Sequence, residues 1–138
     1  MKNTYKIPIQ VRFRDIDLLG HVNNAVFFTY FEMARAAFQR DHIGEITDRE
    51  STPFILAHAG CDYLRPIAPG TTLILEMGTK NLGTKSFQYV YSIRDAADES
   101  IQYARGETVQ VCYDYSRNTS MEIPPEFRKI LLQFQCDD

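Results

Sequence analysis

The stretch Asn24–Arg40, NAVFFTYFEMARAAFQR, constrains this chain more than any other. It holds no Gly or Pro, and at 100° per residue its polar members Thr29, Glu32, Arg35, Gln39 and Arg40 fall within a stripe of roughly 140°. The rest of the circumference is apolar, and Phe27, Phe28, Tyr30 and Phe31 point in very different directions. Such a helix cannot simply lie on a surface, so other elements must wrap around it.

The segments able to do so follow in order. Leu73, Leu75 and Met77 recur at every second position, as do Phe87, Tyr89, Tyr91 and Ile93, and Val109, Val111, Tyr113 and Tyr115. Strands are predicted over Phe54–Arg65, Thr71–Lys80, Ser86–Arg94 and Ile101–Tyr115, all rich in β-branched or aromatic residues. The turns Pro66–Gly70, Asn81–Lys85 and Asp95–Ser100 are too short for helical crossovers, so these strands are expected to be antiparallel neighbours. An earlier strand is expected where Ile7, Ile9, Val11 and Phe13 alternate with Lys6, Pro8, Gln10 and Arg12. Pro8 has no N–H to give a ladder and places that strand at or near an edge. Asp41–Pro53 is the expected mobile connection, and Pro124 and Pro125 admit a short helix over Glu126–Phe134. The expectation is an α+β fold in a single domain spanning 1–138, with a curled antiparallel sheet around one long helix.

Composition narrows the function classes. Fifteen Lys and Arg against 18 Asp and Glu give a net charge of −3, which leaves no electrostatic footprint for nucleic acid or an anionic membrane. No run approaches the roughly 20 apolar residues of a membrane span, and the first residues carry no apolar leader, so the expected compartment is the cytoplasm. Cys61, Cys112 and Cys136 are odd in number and widely spaced, which argues against a disulfide framework or a zinc site. They read as structural thiols. His21, His42 and His58 are scattered, and no metal is expected.

The densest polar cluster, Arg14, Asp15, Asp17, His21, Asn23 and Asn24, lies between the first strand and the helix. The turn Asp17–His21 delivers a carboxylate just ahead of a helix N-terminus, where unsatisfied N–H groups carry partial positive charge. A carboxylate beside anion-stabilising amides is a plausible hydrolase constellation. The same residue types are also preferred helix caps, and Gly20 suits any tight turn, so spacing alone leaves capping open as the stronger reading.

The run Arg14–Ala25, RDIDLLGHVNNA, followed by Tyr30, Glu32 and Arg35, resembles the helix-start signature of the hotdog-fold acyl-CoA thioesterases, closest to the 4-hydroxybenzoyl-CoA thioesterase-like branch. Asp62-Tyr63-Leu64-Arg65-Pro66, Pro69-Gly70 and Gly83-Thr84-Lys85-Ser86-Phe87 resemble later stretches of the same family. The resemblance runs from about Val11 to Tyr115. It implies that Asp17 is the catalytic carboxylate, acting as nucleophile through a mixed anhydride or as general base on water. It implies that the Asn24 backbone N–H polarises the thioester carbonyl, that Gly20 and His21 shape the turn, and that Asn23 caps the helix or orders the site. Lys85 and Ser86 would contact pantetheine or phosphates. Coenzyme A would be part of the substrate, with no separate cofactor.

Relatives of this kind pair sheets edge to edge, which implies a homodimer or homotetramer with the site at the subunit interface. His58 and Asp62, four apart on one strand face, would then approach the site from a neighbouring protomer or face solvent. An apolar acyl pocket would be lined by residues such as Phe27, Phe28 and Phe31. Two alternatives stand beside the acyl-CoA thioesterase: hydrolysis of acyl groups on an acyl carrier protein, and non-catalytic binding of acyl thioesters. A hotdog dehydratase fits less well, because no His and acidic pair stands at the helix start.

Overall fold

In the computed structural model, which describes residues 3–136, the long apolar segment becomes helix α1 (Val26–Phe38), continued by one wider turn over Gln39–Ile43. Phe27, Tyr30, Phe31, Ala34 and Phe38 recur at helical spacing and are buried. Five strands form one sheet beneath them: β1 (Tyr5–Gln10), β2 (Phe54–Tyr63), β3 (Thr72–Lys80), β4 (Ser86–Asp95) and β5 (Gln102–Asp114), in the order β1-β3-β4-β5-β2. A two-residue strand β6 (Thr119–Ser120) pairs with the end of β5. Every ladder in the sheet is antiparallel.

The alternation sorts as predicted on β3 and β4 but not on β5, where Thr108, Gln110 and Cys112 are the buried set and Val109, Val111 and Tyr113 are half-buried on the opposite face. Leu73, Leu75, Met77, Phe87, Tyr89, Tyr91 and Ile93 are buried against α1. The Phe31 ring on α1 stacks on Tyr91 of β4 with centroids 4.3 Å apart and planes 12° from parallel. Gly106 on β5, paired with Tyr91, makes that approach possible, because a Cβ there would sit 2.6 Å from two Phe31 ring carbons. Helix α2 (Pro125–Leu132) and the residues after it close one end of the sheet, where the buried Thr79 hydroxyl donates to the Leu131 carbonyl at 2.7 Å.

Several expectations are corrected. The first strand stops at Gln10, and Phe13 sits in a single tight turn, Phe13–Asp15, almost fully exposed. The chain turns there because the Asp15 carboxylate captures the Arg12 backbone N–H at 2.9 Å and draws Arg12 out of the strand. Pro8 does lie on an edge strand, since β1 pairs only with β3. The turn Pro66–Gly70 does not join neighbours: β2 pairs with β5 at the far edge and β3 with β1 and β4. The connection 64–71 therefore spans three strand spacings, about 14 Å, which eight residues reach easily. The polar stripe of α1 is not all solvated, because Gln39 is buried with its amide donating to the Ser51 carbonyl at 2.9 Å and Arg35 donates to the Tyr91 hydroxyl at 3.1 Å. Nor is the helix wrapped all round, since Met33 is exposed.

Candidate functional site

The site is built on a three-residue hairpin loop. Ile16 and Val22 pair, the Asp17 N–H donates to the His21 carbonyl at 3.0 Å, and the Gly20 N–H returns to the Asp17 carbonyl at 3.0 Å. Gly20 closes the loop with φ +82°, a left-handed conformation that favours glycine. Leu18 and Leu19 at the tip are exposed. Within this loop Asp17 is half-buried, and its Oδ1 accepts the Leu19 N–H at 2.9 Å. Its Oδ2 accepts no hydrogen bond among the described residues.

The next residues start α1. Asn23 gives its N–H to the Asp15 carbonyl at 2.9 Å, and its Oδ1 accepts the Ala25 N–H at 2.9 Å, so the capping role expected of this cluster falls on Asn23. The N–H groups of Val26, Phe27 and Phe28 go to the carbonyls of Asn23, Asn24 and Ala25. The Asn24 N–H has no acceptor among the described residues. Asp17 and Asn24 line one groove of about 440 Å³ with Leu19, His21, Phe27 and Tyr63. Tyr63, from the far end of β2, donates its hydroxyl to the Asn24 carbonyl at 3.0 Å and packs edge-on against Phe27 at 4.9 Å.

Asp15 holds these parts in register. Its buried carboxylate accepts from the Arg12 backbone at 2.9 Å, from the Arg12 guanidinium at 2.9 and 3.2 Å, and from the Tyr30 hydroxyl at 2.8 Å. Burial by itself raises this carboxyl, but the Arg12 and Tyr30 bonds outweigh it and hold it below the usual aspartate range. A carboxyl lowered by folding contributes stability that is present above its unfolded value and is lost as pH falls through the folded one. Asp15→Asn is therefore expected to flatten the acid limb of stability below about pH 4. Melting temperatures from pH 3 to 7 check this, and an unchanged acid limb would contradict it.

The other expected residues are elsewhere. Ser86 begins β4 and Lys85 immediately precedes it, at the end of the sheet where Ser86 pairs with Val111 and Val111 with Ile55. Seven residues along β5, about 23 Å, separate that level from Ala104, which pairs with Tyr63 beside Asp17. The fold of the single chain does not bring Lys85 or Ser86 to Asp17. His58 and Asp62 do share one face, the outer one opposite α1, where they pair with Glu107 at 3.3 Å and Arg105 at 3.2 Å. Phe27 and Phe31 are core residues, and Phe27 also lines the groove. Burial pushes the Cys61 and Cys112 thiols up to about 11, so neither is a thiolate at neutral pH. Among the described residues no three His, Cys, Asp or Glu gather in a way that could hold a metal, and no helix is long and apolar enough to cross a membrane.

The Asp15–Tyr30 bond and the Tyr63 contact to the Asn24 carbonyl were missed by sequence reasoning. Only the Asp15 partnership left a trace, an Asp in the polar cluster ahead of α1 and a Tyr fifteen residues on, inside the helix.

Comparison with known proteins bears on this geometry. The family model of the thioesterase-like superfamily matches residues 11–131. Among curated proteins, the chain is 31% identical to the uncharacterized protein YsmA of Bacillus subtilis over 83 residues, 60% of this chain and 56% of that one. It is 26% identical to a 1,4-dihydroxy-2-naphthoyl-CoA hydrolase of Nostoc punctiforme over 122 residues, 84% of this chain and 78% of that one. Among solved structures, a thioesterase from Thermus thermophilus complexed with coenzyme A and zinc is 32% identical, with a TM-score of 0.80 over 91% of this chain and 90% of that one. The sheet curled against one long helix is the hotdog arrangement of these thioesterases.

Proposed function

The chain belongs to the thioesterase-like superfamily, and on that premise we propose that it hydrolyses an acyl-CoA thioester at the groove between Asp17 and the Asn24 N–H. The observation that carries this reading is the pairing, in one groove, of a carboxylate oxygen that no donor engages with an unpaired N–H just ahead of the helix, both among the described residues. Attack on a thioester carbonyl puts negative charge on its oxygen, and the Asn24 amide with the dipole of α1 behind it stabilises that charge as it forms. Asp17 serves as nucleophile or as general base. As nucleophile, Oδ2 bonds to the carbonyl carbon, CoA leaves as thiolate, and water then cleaves the mixed anhydride. As general base, Oδ2 takes a proton from the attacking water and the C–S bond breaks in the same way. A covalent acyl adduct seen by mass spectrometry in a single turnover selects the first route.

The donor at Asn24 is main chain. Asn24→Ala is therefore expected to keep turnover within a few-fold of wild type, whereas Asn24→Pro, which deletes the N–H, loses about 10² to 10³ in kcat. Equal losses in both variants would move the role to the side chain.

Strand β2 ends the sheet with its outer edge open, and Ile55, Leu56, Tyr63 and Leu64 on and beside it are exposed. An open apolar edge favours pairing. A second copy fits it, β2 against β2 about a twofold axis, giving a homodimer. β2 runs from the Lys85 end of the sheet to the Asp17 end, so antiparallel pairing sets the partner's Lys85 end beside this protomer's Asp17. Light scattering measures the mass directly, and a monomer at micromolar concentration would contradict the pairing.

Thiol release from a panel running from acetyl-CoA to palmitoyl-CoA, with benzoyl and phenylacetyl members, tests the activity. Release from acyl carrier protein alone would change the carrier. Binding of acyl-CoA without release would make the protein a thioester-binding module.

A further inference from the structure

Strand β2 ends on Tyr63, whose side chain has no part in the hydrolysis proposed above. The residue is fixed at its base, where it pairs with Ala104 and where the next two N–H groups, of Leu64 and Arg65, both donate to the Tyr103 carbonyl at 2.9 and 3.2 Å. Its ring is fixed by edge-on contact with the buried Phe27, and its hydroxyl donates to the Asn24 carbonyl at 3.0 Å. Tyr63 is nevertheless 46% exposed, so a hydrogen bond at its tip adds little to global stability. A side chain held this firmly, with a bond that stabilises so little, points to local geometry as its role.

The geometry in question is the start of α1. Its opening turn is wound tightly, with the N–H groups of Val26, Phe27 and Phe28 each reaching back three residues, at 2.9, 3.4 and 3.2 Å. The longest of the three is the bond to the Asn24 carbonyl, and that is the carbonyl Tyr63 takes. Asn24 is therefore held through the peptides on both sides of it. The Val26 N–H holds the Asn23 carbonyl, on the peptide that carries the Asn24 N–H, and the Tyr63 hydroxyl holds the carbonyl of the next peptide. Helix ends fray, and a turn closed by its weakest bond frays first unless something outside the helix ties it down.

We propose that Tyr63 is a positioning residue: its hydroxyl tethers the Asn24 peptide so that the Asn24 N–H stays aimed into the groove shared with Asp17. This rests on the hydrolase reading above and adds to it a residue that acts through Asn24. A donor to a developing oxyanion counts only while it points at the place where the charge forms, and a misplacement of about 1 Å costs about 10²-fold. Loss of one of two tethers is expected to cost about tenfold. The loss falls on kcat, because the amide acts on charge that appears only in the transition state, while the groove walls that bind the ground state are kept. Asp17 does not depend on this tether, since its loop is closed by its own main-chain bonds to His21 and Gly20.

Tyr63→Phe tests this, because it deletes the hydroxyl and keeps the ring against Phe27. On the member of the acyl-CoA panel that wild type hydrolyses fastest, kcat is expected to fall about tenfold, with KM within about twofold and Tm within a few degrees of wild type. In an Asn24→Pro background, which has no N–H to position, the same substitution is expected to change kcat by less than about twofold. An unchanged kcat, a loss expressed in KM, or a tenfold loss that persists in the Asn24→Pro background would overturn the proposal. Nuclear magnetic resonance of the substrate-free protein reads the tether without turnover. The backbone order parameter at Asn24 is expected to fall from about 0.85 toward about 0.6 in Tyr63→Phe, with the middle of α1 unchanged. Equal order parameters in the two proteins would overturn the proposal, whereas a wild type that releases no CoA while the order parameter still falls in the variant would defeat only the hydrolase reading.

Discussion

Asp17→Ala is expected to lower kcat on any CoA thioester this protein turns over by about 10² to 10⁴-fold, the range supplied by a positioned general base, and by more if the carboxylate is the nucleophile. The fold is expected to survive. The Asp17 side chain makes one hydrogen bond, to the Leu19 N–H in its own loop, and touches none of the buried network around Asp15. The loop is held by main-chain bonds from Asp17 to His21 and from Gly20 to Asp17, which alanine retains. A melting temperature within a few degrees of wild type is the matching control. Asp17→Asn keeps the acceptor for Leu19 but removes the negative charge, so a loss comparable to that of Asp17→Ala assigns the effect to the carboxylate and not to loop geometry.

The second large effect concerns stability. Gly106→Ala adds a Cβ 2.6 Å from the Phe31 Cε2 and Cζ atoms and 2.7 Å from the Gly60 carbonyl oxygen. The ring cannot swing aside, because it is fully buried and stacked on Tyr91. The carbonyl belongs to the backbone of the neighbouring strand, so relieving that contact shifts the β2–β5 ladder. Overpacking of a dense core costs about 1 to 3 kcal/mol, and with ring and backbone both opposed the upper end is expected. In a chain of 138 residues that lowers Tm by roughly 10 °C. Adding Phe31→Leu should return part of the loss, since the two side chains contend for one space and their effects are not additive. Gly106→Ala with an unchanged Tm would mean that α1 does not press on the sheet at this point.

What the sequence discloses follows how far apart the interacting groups are. The aromatic helix demands a wrapping sheet, and periodicity marks its strands to within a residue or two from β3 to β5. Asp17, Gly20, Asn23 and Asn24 lie within eight residues, so turn and cap chemistry placed them together before any tertiary contact was known. Contacts that depend on the curl of the sheet leave no local mark. Tyr63 reaches the Asn24 carbonyl from 39 residues away, on a strand that crosses to the far edge of the sheet to pair with β5. Lys85 and Ser86 sit at the opposite end of the sheet from Asp17, a separation that only the strand pairing discloses. Phe13 misled because alternation continued past the point where Asp15 bends the backbone.

The most direct measurement is the initial rate of CoA release by wild type and Asp17→Ala side by side, across aromatic and aliphatic acyl-CoAs, with melting curves of both. The account predicts turnover of at least one member by wild type and a loss of at least about a hundredfold in the variant at nearly unchanged Tm. Equal rates in the two proteins, or a loss explained by unfolding, would contradict a catalytic role for Asp17 at the start of α1.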